Sequence, residues 1–167
     1  MTERENPALS LGPIEKGPLL EVMRGFSMDL TDAQIAKDLG TDIVAIRGYV
    51  SHIKDVYGAD GRDGLVIAAR AGFANGQLRQ KFNWEDVQFL LSEPDLWKVW
   101  EQTMEGFSVP ATAKNLDMEI SRVRSLRHKI TVKLKTGRIG AVVVGLRVRQ
   151  VLEKAQSDSN PIPNHLL

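Results

Sequence analysis

The 167-residue chain contains no cysteine, so disulfide staples and thiolate metal ligands are excluded. No stretch approaches the roughly 18 apolar residues that a membrane span requires. The opening MTERENPALS carries acids where a secretory leader needs an apolar core, so no such leader is expected. Catalytic signatures are missing too. His52, His128 and His165 are scattered without an HExxH or metal-spaced partner, and there is no GxSxG, Walker A loop or GxGxxG. The glycine-rich run from Gly58 to Gly64, GADGRDG, follows a helical pattern rather than a strand, the wrong setting for a phosphate cradle. No enzyme activity, cofactor or metal is expected, no membrane partner, and the location expected is the cytoplasm.

The composition, 43% hydrophobic and 26% charged, is that of an ordinary globular protein of one domain or two small ones. A net charge of +1 hides an asymmetry. Between Asp117 and Arg149 stand nine Lys or Arg (Arg122, Arg124, Arg127, Lys129, Lys133, Lys135, Arg138, Arg147, Arg149) against Asp117 and Glu119, whereas residues 1–75 lean acidic. A basic block set apart in this way suits a local polyanion-binding surface.

The centre of that block is DMEISRVRSLRHKITVKL, Asp117 to Leu134. At 3.6 residues per turn Ile120, Val123, Leu126, Ile130 and Leu134 share one face. The opposite face collects Ser121, Arg122, Arg124, Ser125, His128 and Lys129. Such a helix suits a nucleic-acid groove, with Arg and Lys meeting phosphate or guanine acceptors and Ser and His supplying short polar contacts.

In chain order, residues 1–17 read as a loose arm. Pro18 opens a helix, Leu19 to Arg24, that Gly25 stops. A loop, Met28 to Leu30, leads to Thr31, which caps a helix from Asp32 to Leu39. Gly40 breaks it, a third helix runs from about Asp42 to Tyr57 with Gly58 as its stop, and a fourth from about Arg62 to Ala74. A spacer holds a helix from Trp84 to Leu91, and Ser92-Glu93-Pro94 opens another whose Leu96, Trp97, Trp100 and Met104 read as core. The tail, residues 155–167, is rich in Pro, Ser and Asn and is expected to lack order.

Parts of the chain recur. Met104-Glu105-Gly106-Phe107-Ser108 echoes Met23-Arg24-Gly25-Phe26-Ser27 at an offset of 81; Ala113-Lys114-Asn115-Leu116 echoes Ala36-Lys37-Asp38-Leu39 at 77; Gly137 to Val143 echoes Gly61 to Ile67 at 76. An internal repeat of this length is one supersecondary unit used twice. The expected fold is all-α: two tandem helix-turn-helix units of about four helices each (18–76 and the more basic 95–154), joined by a helical spacer (77–94).

The succession Gly-Phe-Ser, Ala-Lys-x-Leu and a long third helix resembles the LuxR-type (GerE, NarL/FixJ) helix-turn-helix domain. The second copy matches well, with Thr112-Ala113 four residues after Ser108, then Leu116, and Arg122-Val123-Arg124-Ser125-Leu126 in the slots of the family's T-V-K-x-H core. The first copy places Ala45-Ile46-Arg47-Gly48-Tyr49 there. The resemblance implies binding of double-stranded DNA through the third helix, with Arg124, Ser125 and His128 facing bases and flanking cations facing phosphate. Candidate DNA-contacting residues are Ser121, Arg122, Arg124, Ser125, His128, Lys129, Lys133 and Lys135, joined by Arg47 and Ser51 of the first copy, whose face is expected to bind more weakly. Arg127 lies nearer the apolar stripe and is expected to snorkel.

The function expected is that of a bacterial or phage-type transcriptional regulator. The competing expectation is a protein-interaction module with little DNA affinity, binding RNA polymerase or another regulator in the manner of region 4 of a sigma factor. The fourth helices, around Leu65 to Ala69 and Ala141 to Leu146, are more apolar than solvent tolerates. Three outcomes are open for them: a homodimer contact there or through the Trp-rich spacer, an intramolecular pseudo-dimer, or burial within each copy.

Overall fold

The computed structural model describes residues 18–157, which form nine α-helices and no strand. They are α1 (Pro18–Ser27), α2 (Asp32–Asp38), α3 (Ile43–Tyr57), α4 (Gly64–Ala74), α5 (Trp84–Leu91), α6 (Pro94–Met104), α7 (Val109–Leu116), α8 (Ile120–Leu134) and α9 (Arg138–Ser157). The N-terminal arm and the tail beyond Ser157 lie outside the described residues, and α9 continues to Ser157, into the stretch read as tail. No helix among the described residues is long and apolar enough to cross a membrane.

The helix ends follow local chemistry. Thr31 and Gln34 form a reciprocal capping box at α2, and the Asp42 carboxylate accepts from the Ala45 N–H at 2.8 Å to open α3. Ser108 takes the same role at α7, accepting from the Ala111 N–H at 3.2 Å. Pro94 and Pro110 occupy first-turn positions of α6 and α7, where a missing N–H costs nothing.

One expectation fails at α1. The helix does not stop at Gly25 but runs through to Ser27. Gly25 serves a different end: Cγ1 and Cδ1 of Ile35 in α2 lie 2.5 and 2.7 Å from where a Cβ on Gly25 would stand, so the missing side chain lets α2 close onto α1. The turn residue is Asp29, at φ 61, a left-handed conformation that Asp tolerates better than most residues.

With that turn placed, the internal correspondence has one spacing, 77, across three helices. The Leu30 N–H donates to the Gly25 carbonyl at 3.0 Å, and the Phe107 N–H to the Gln102 carbonyl at 3.1 Å. The Thr41 N–H donates to Ala36 and the Met118 N–H to Ala113, both at 2.9 Å. Left-handed residues fall at Asp29 and Gly106, and again at Gly40 and Asp117. Helix α3 spans 43–57 and α8 spans 120–134. The Gly25–Gly106 echo is therefore out of register with the backbone.

The interior is a continuous apolar cluster, and α4 and α9 form its seam. In α4 the residues Leu65 to Ala69, Ala71 and Gly72 are buried, and in α9 everything from Ile139 to Leu146 is. The two helices pack on one another, with α1 against α9 and α6 against α4. Of the tryptophans, Trp100 is fully buried and donates its indole N–H to the Ala141 carbonyl at 2.9 Å; Trp84 and Trp97 are partly buried against the core. At one rim of the seam Glu105 gathers Arg70 at 2.8 Å, Arg149 at 3.3 Å and Arg62 at 3.6 Å.

Gly145 tests this packing by sign. Helix propensity alone makes Gly→Ala a gain of about 0.5–1 kcal/mol. A Cβ there would stand 2.6 Å from Trp100 Nε1, and overpacking of that kind costs about 1–3 kcal/mol. Gly145→Ala is expected to lower the urea midpoint of unfolding; a raised midpoint would contradict the packing described.

Candidate nucleic-acid interface

Helix α8 is held by a row of buried side chains, Val123, Leu126, Ile130 and Leu134, packed towards α5, α6 and α7. That is the apolar stripe the spacing predicts, less one member. Ile120, at the first position of the helix, is 42% exposed. Asp117, left-handed at φ 53, turns the chain from α7 into α8, and Lys135, at φ 54, ends the helix.

The opposite face is open. Ser121, Arg122, Arg124, Ser125, His128, Lys129 and Lys135 are exposed, and Lys133 is half-buried. Their availability differs in a way that periodicity does not reveal. The Arg122 guanidinium lies 3.2 Å from Asp95 and 3.5 Å from Glu93, and Lys129 lies 2.7 Å from Glu93. Lys133 lies 3.6 Å from Asp86, with its ammonium 4.4 Å from the centre of the Phe89 ring. Three of the expected phosphate contacts therefore already face carboxylates of α5 and of the start of α6. Arg124 and Lys135 have no ion-pair partner among the described residues.

Between α5 and α8 runs an open groove of about 570 Å³, lined by Asp86, Phe89, Ser125, His128, Lys129, Val132, Lys133 and Lys135. Phe89 is 50% and Val132 59% exposed, so the groove combines apolar surface with a cationic edge.

Arg127 does not snorkel to solvent. It turns inward, donating from Nη2 to the Phe107 carbonyl at 2.6 Å and to Thr112 Oγ1 at 3.3 Å, and burial pulls its pKa below the usual arginine value. It ties α8 to the α6–α7 turn and does not belong to the open face. Arg138, at the start of α9, pairs with Asp63 across the seam.

On α3 the equivalent positions are Val44, Arg47, Gly48, Ser51, His52 and Asp55, all exposed, with Val44 at 76%. Arg47 and Ser51 share this surface as the spacing predicts. No carboxylate pairs with Arg47 among the described residues, so the more basic helix is the more neutralised one. Asp86, Phe89, Glu93 and Asp95 are the residues that a periodicity reading of α8 misses, because they lie on other helices. The only trace of them in the sequence is the acidity of the spacer.

The Glu93 carboxyl is held below the ordinary glutamate range, chiefly by the hydrogen bond from Lys129, with the Lys129 and Arg122 charges adding to it and desolvation and Asp95 opposing. A depressed carboxylate pKa means that the pair contributes above the ordinary value and is lost as pH falls through Glu93's own. NMR titration of the Glu93 carboxyl carbon is expected to give a midpoint below that of an ordinary glutamate, and Lys129→Met is expected to move that midpoint upward. An unmoved midpoint would mean that Lys129 does not hold Glu93 in solution. Comparison with protein-family models, curated proteins and solved structures found no match to this chain.

Proposed function

We propose that the chain binds double-stranded DNA sequence-specifically, as a transcriptional regulator built from two tandem LuxR-like helix-turn-helix units, with α8 entering a major groove. The observation that best supports this is the exposed strip Ser121, Arg124, Ser125 and His128 on a helix whose other side is anchored in the core. Arg124 has the reach and fork geometry for the two major-groove acceptors of guanine, and Ser and His suit neighbouring base edges. Lys135, exposed at the end of the helix, suits a phosphate.

In this reading the acids of α5 and α6 have a definite effect. Asp86, Glu93 and Asp95 occupy Arg122, Lys129 and Lys133 on one flank. Backbone phosphates approaching there meet carboxylates as well as cations, so the duplex is steered to the Arg124–Lys135 side. Lys135→Ala is therefore expected to weaken binding to all sequences more than Lys133→Ala does.

One observation favours a second reading. The groove beside α8 exposes Phe89 and Val132 together, and exposed apolar residues ringed by charge suit a protein partner such as RNA polymerase or another regulator. Fluorescence anisotropy with duplex DNA separates the two. For DNA binding, log affinity falls linearly with log salt at about −0.9 per phosphate contacted, and Arg124→Ala costs about 1–3 kcal/mol at one base pair. Replacing Asp86, Glu93 and Asp95 together by Asn, Gln and Asn frees three cations, which is expected to raise affinity and steepen the salt slope by about 2–3. Weak binding indifferent to both changes would favour the protein-interaction reading.

A further inference from the structure

A second concentration of cations lies where the α3–α4 loop meets the α6–α7 turn. The loop is the glycine-rich run Gly58 to Gly64, which joins two helices and so lacks the strand that a P-loop cradle requires. It forms one wall of an open depression of about 370 Å³, whose lining is completed by the α6–α7 turn, α8 and the start of α9. The two walls are pinned together. The Asp63 N–H donates to the Gly106 carbonyl at 2.8 Å. A Cβ on Gly106, itself at φ 83, would stand 3.3 Å from the Asp63 nitrogen, so the turn fits closely against the loop.

Charge in the depression is one-sided. Lys54, Arg62, Arg127 and Arg138 line it, against a single acid, Asp63. Asp63 is engaged twice, pairing with Arg138 and accepting the Leu65 N–H at 3.0 Å. Glu105 reaches Arg62 at 3.6 Å, but it also holds Arg70 at 2.8 Å and Arg149 at 3.3 Å. Counting both acids still leaves four cations to two carboxylates. Lys54 is exposed and has no ion-pair partner among the described residues. Nor has Arg127: its Nη2 meets only the neutral oxygens of Phe107 and Thr112, and its Nε is buried without a hydrogen-bond partner. Withdrawing a guanidinium from water is unfavourable unless an opposite charge offsets it, and the described residues supply none.

The backbone adds to this field. Gly64 is the first residue of α4, Ser108 the N-cap of α7 and Arg138 the first residue of α9, and all three line the depression. Each helix carries roughly half a positive charge at its N-terminus, where N–H groups without intrahelical partners suit an anion. Three such ends beside four cationic side chains favour an oxyanion of high charge. Phosphate and pyrophosphate carry more charge than a lone carboxylate and offer oxygens that a guanidinium fork takes two at a time. The volume falls at the small end of the roughly 300–1,000 Å³ of small-molecule sites. We propose that this depression binds the phosphate or pyrophosphate group of a small ligand, with Arg62 and Arg138 contacting it and Arg127 contributing its unmatched charge. The site does not rest on DNA binding by α8. Because its lining comes from residues 54–64 and from 106–138, an occupant bridges the two units and favours their packed arrangement.

The test is isothermal titration of the full chain with inorganic pyrophosphate, and separately with inorganic phosphate, at constant ionic strength in sodium chloride. The expected result is saturable binding of one pyrophosphate per chain, accompanied by a raised midpoint of thermal unfolding. Arg62→Gln and Arg138→Gln are each expected to weaken binding about 10–100-fold, the loss of one charge-assisted contact. Arg147→Gln removes an exposed arginine of α9 that does not line the depression, and is expected to leave binding unchanged. Circular dichroism checks the fold of each variant. Should a Gln variant unfold, Arg62→Lys and Arg138→Lys keep the charge without the fork and are expected to weaken binding less. No saturable binding of either anion, or an equal loss from Arg147→Gln, would overturn the proposal. Weaker duplex binding by Arg62→Gln and Arg138→Gln with no uptake of free pyrophosphate would overturn it too, assigning the depression to a backbone phosphate. Failure of the anion site leaves α8 as a reader, because Arg124 takes no part in the depression.

Discussion

Burial of α4 against α9 is the constraint on which the remaining geometry depends. A helix that is apolar around most of its circumference is stable only when enclosed, and Leu65 to Ala69 and Ile139 to Leu146 leave each helix no solvent-tolerant side. Each is enclosed by the other and by α1 and α6. The small residues Ala68, Ala69, Ala141 and Gly145 keep the packing close, and Gly145 gives Trp100 and Met104 their room. With the seam filled, α3 and α8 lie outside it, each steered by a short turn with left-handed residues at fixed positions. The charged rim, where Glu105 meets three arginines, surrounds this apolar contact. Partly exposed pairs of that kind contribute little individually, so the orientation is set by the apolar surface.

The face of α8 shows why counting cations overstates a binding surface. Five Lys or Arg lie on or beside its outward side, and three of them already face carboxylates. An exposed ion pair is worth about 0–1 kcal/mol, so a polyanion can displace it at small cost. While it stands, however, the local field that a phosphate meets is reduced. What stays fully presented is narrower: Arg124 with Ser121, Ser125 and His128, and Lys135 at the end. Helix α3 lacks such a guard and keeps Arg47 open despite its more acidic surroundings.

Much of the architecture was legible in the chain because the signals are local. Thr31, Asp42 and Ser108 cap helices through the N–H three residues on, and α5 spans Trp84 to Leu91 as its pattern predicts. The stripe Val123, Leu126, Ile130 and Leu134 is buried as its period requires. Helix α1 departs from its pattern because a non-local contact decides it. A glycine in a repeated Gly-Phe-Ser reads as a turn, yet Gly25 lies within a helix to admit Ile35, and an aspartate makes the turn. A close approach from another helix and a positive φ at a non-glycine residue leave no mark in a one-dimensional pattern.

Residue type and spacing suffice to make the chain helical, to place most helix ends and the apolar face of each helix, and to turn Arg124, Ser125 and His128 outward on a basic helix near the carboxyl end. Capping, periodicity and side-chain type act within a few residues and are sufficient for that. Only the tertiary fold ties Arg127 inward, sets Arg122, Lys129 and Lys133 against acids from α5 and α6, and packs α4 on α9. Those outcomes depend on which surfaces, tens of residues apart, meet when the apolar seam is buried, and no local propensity contains that information.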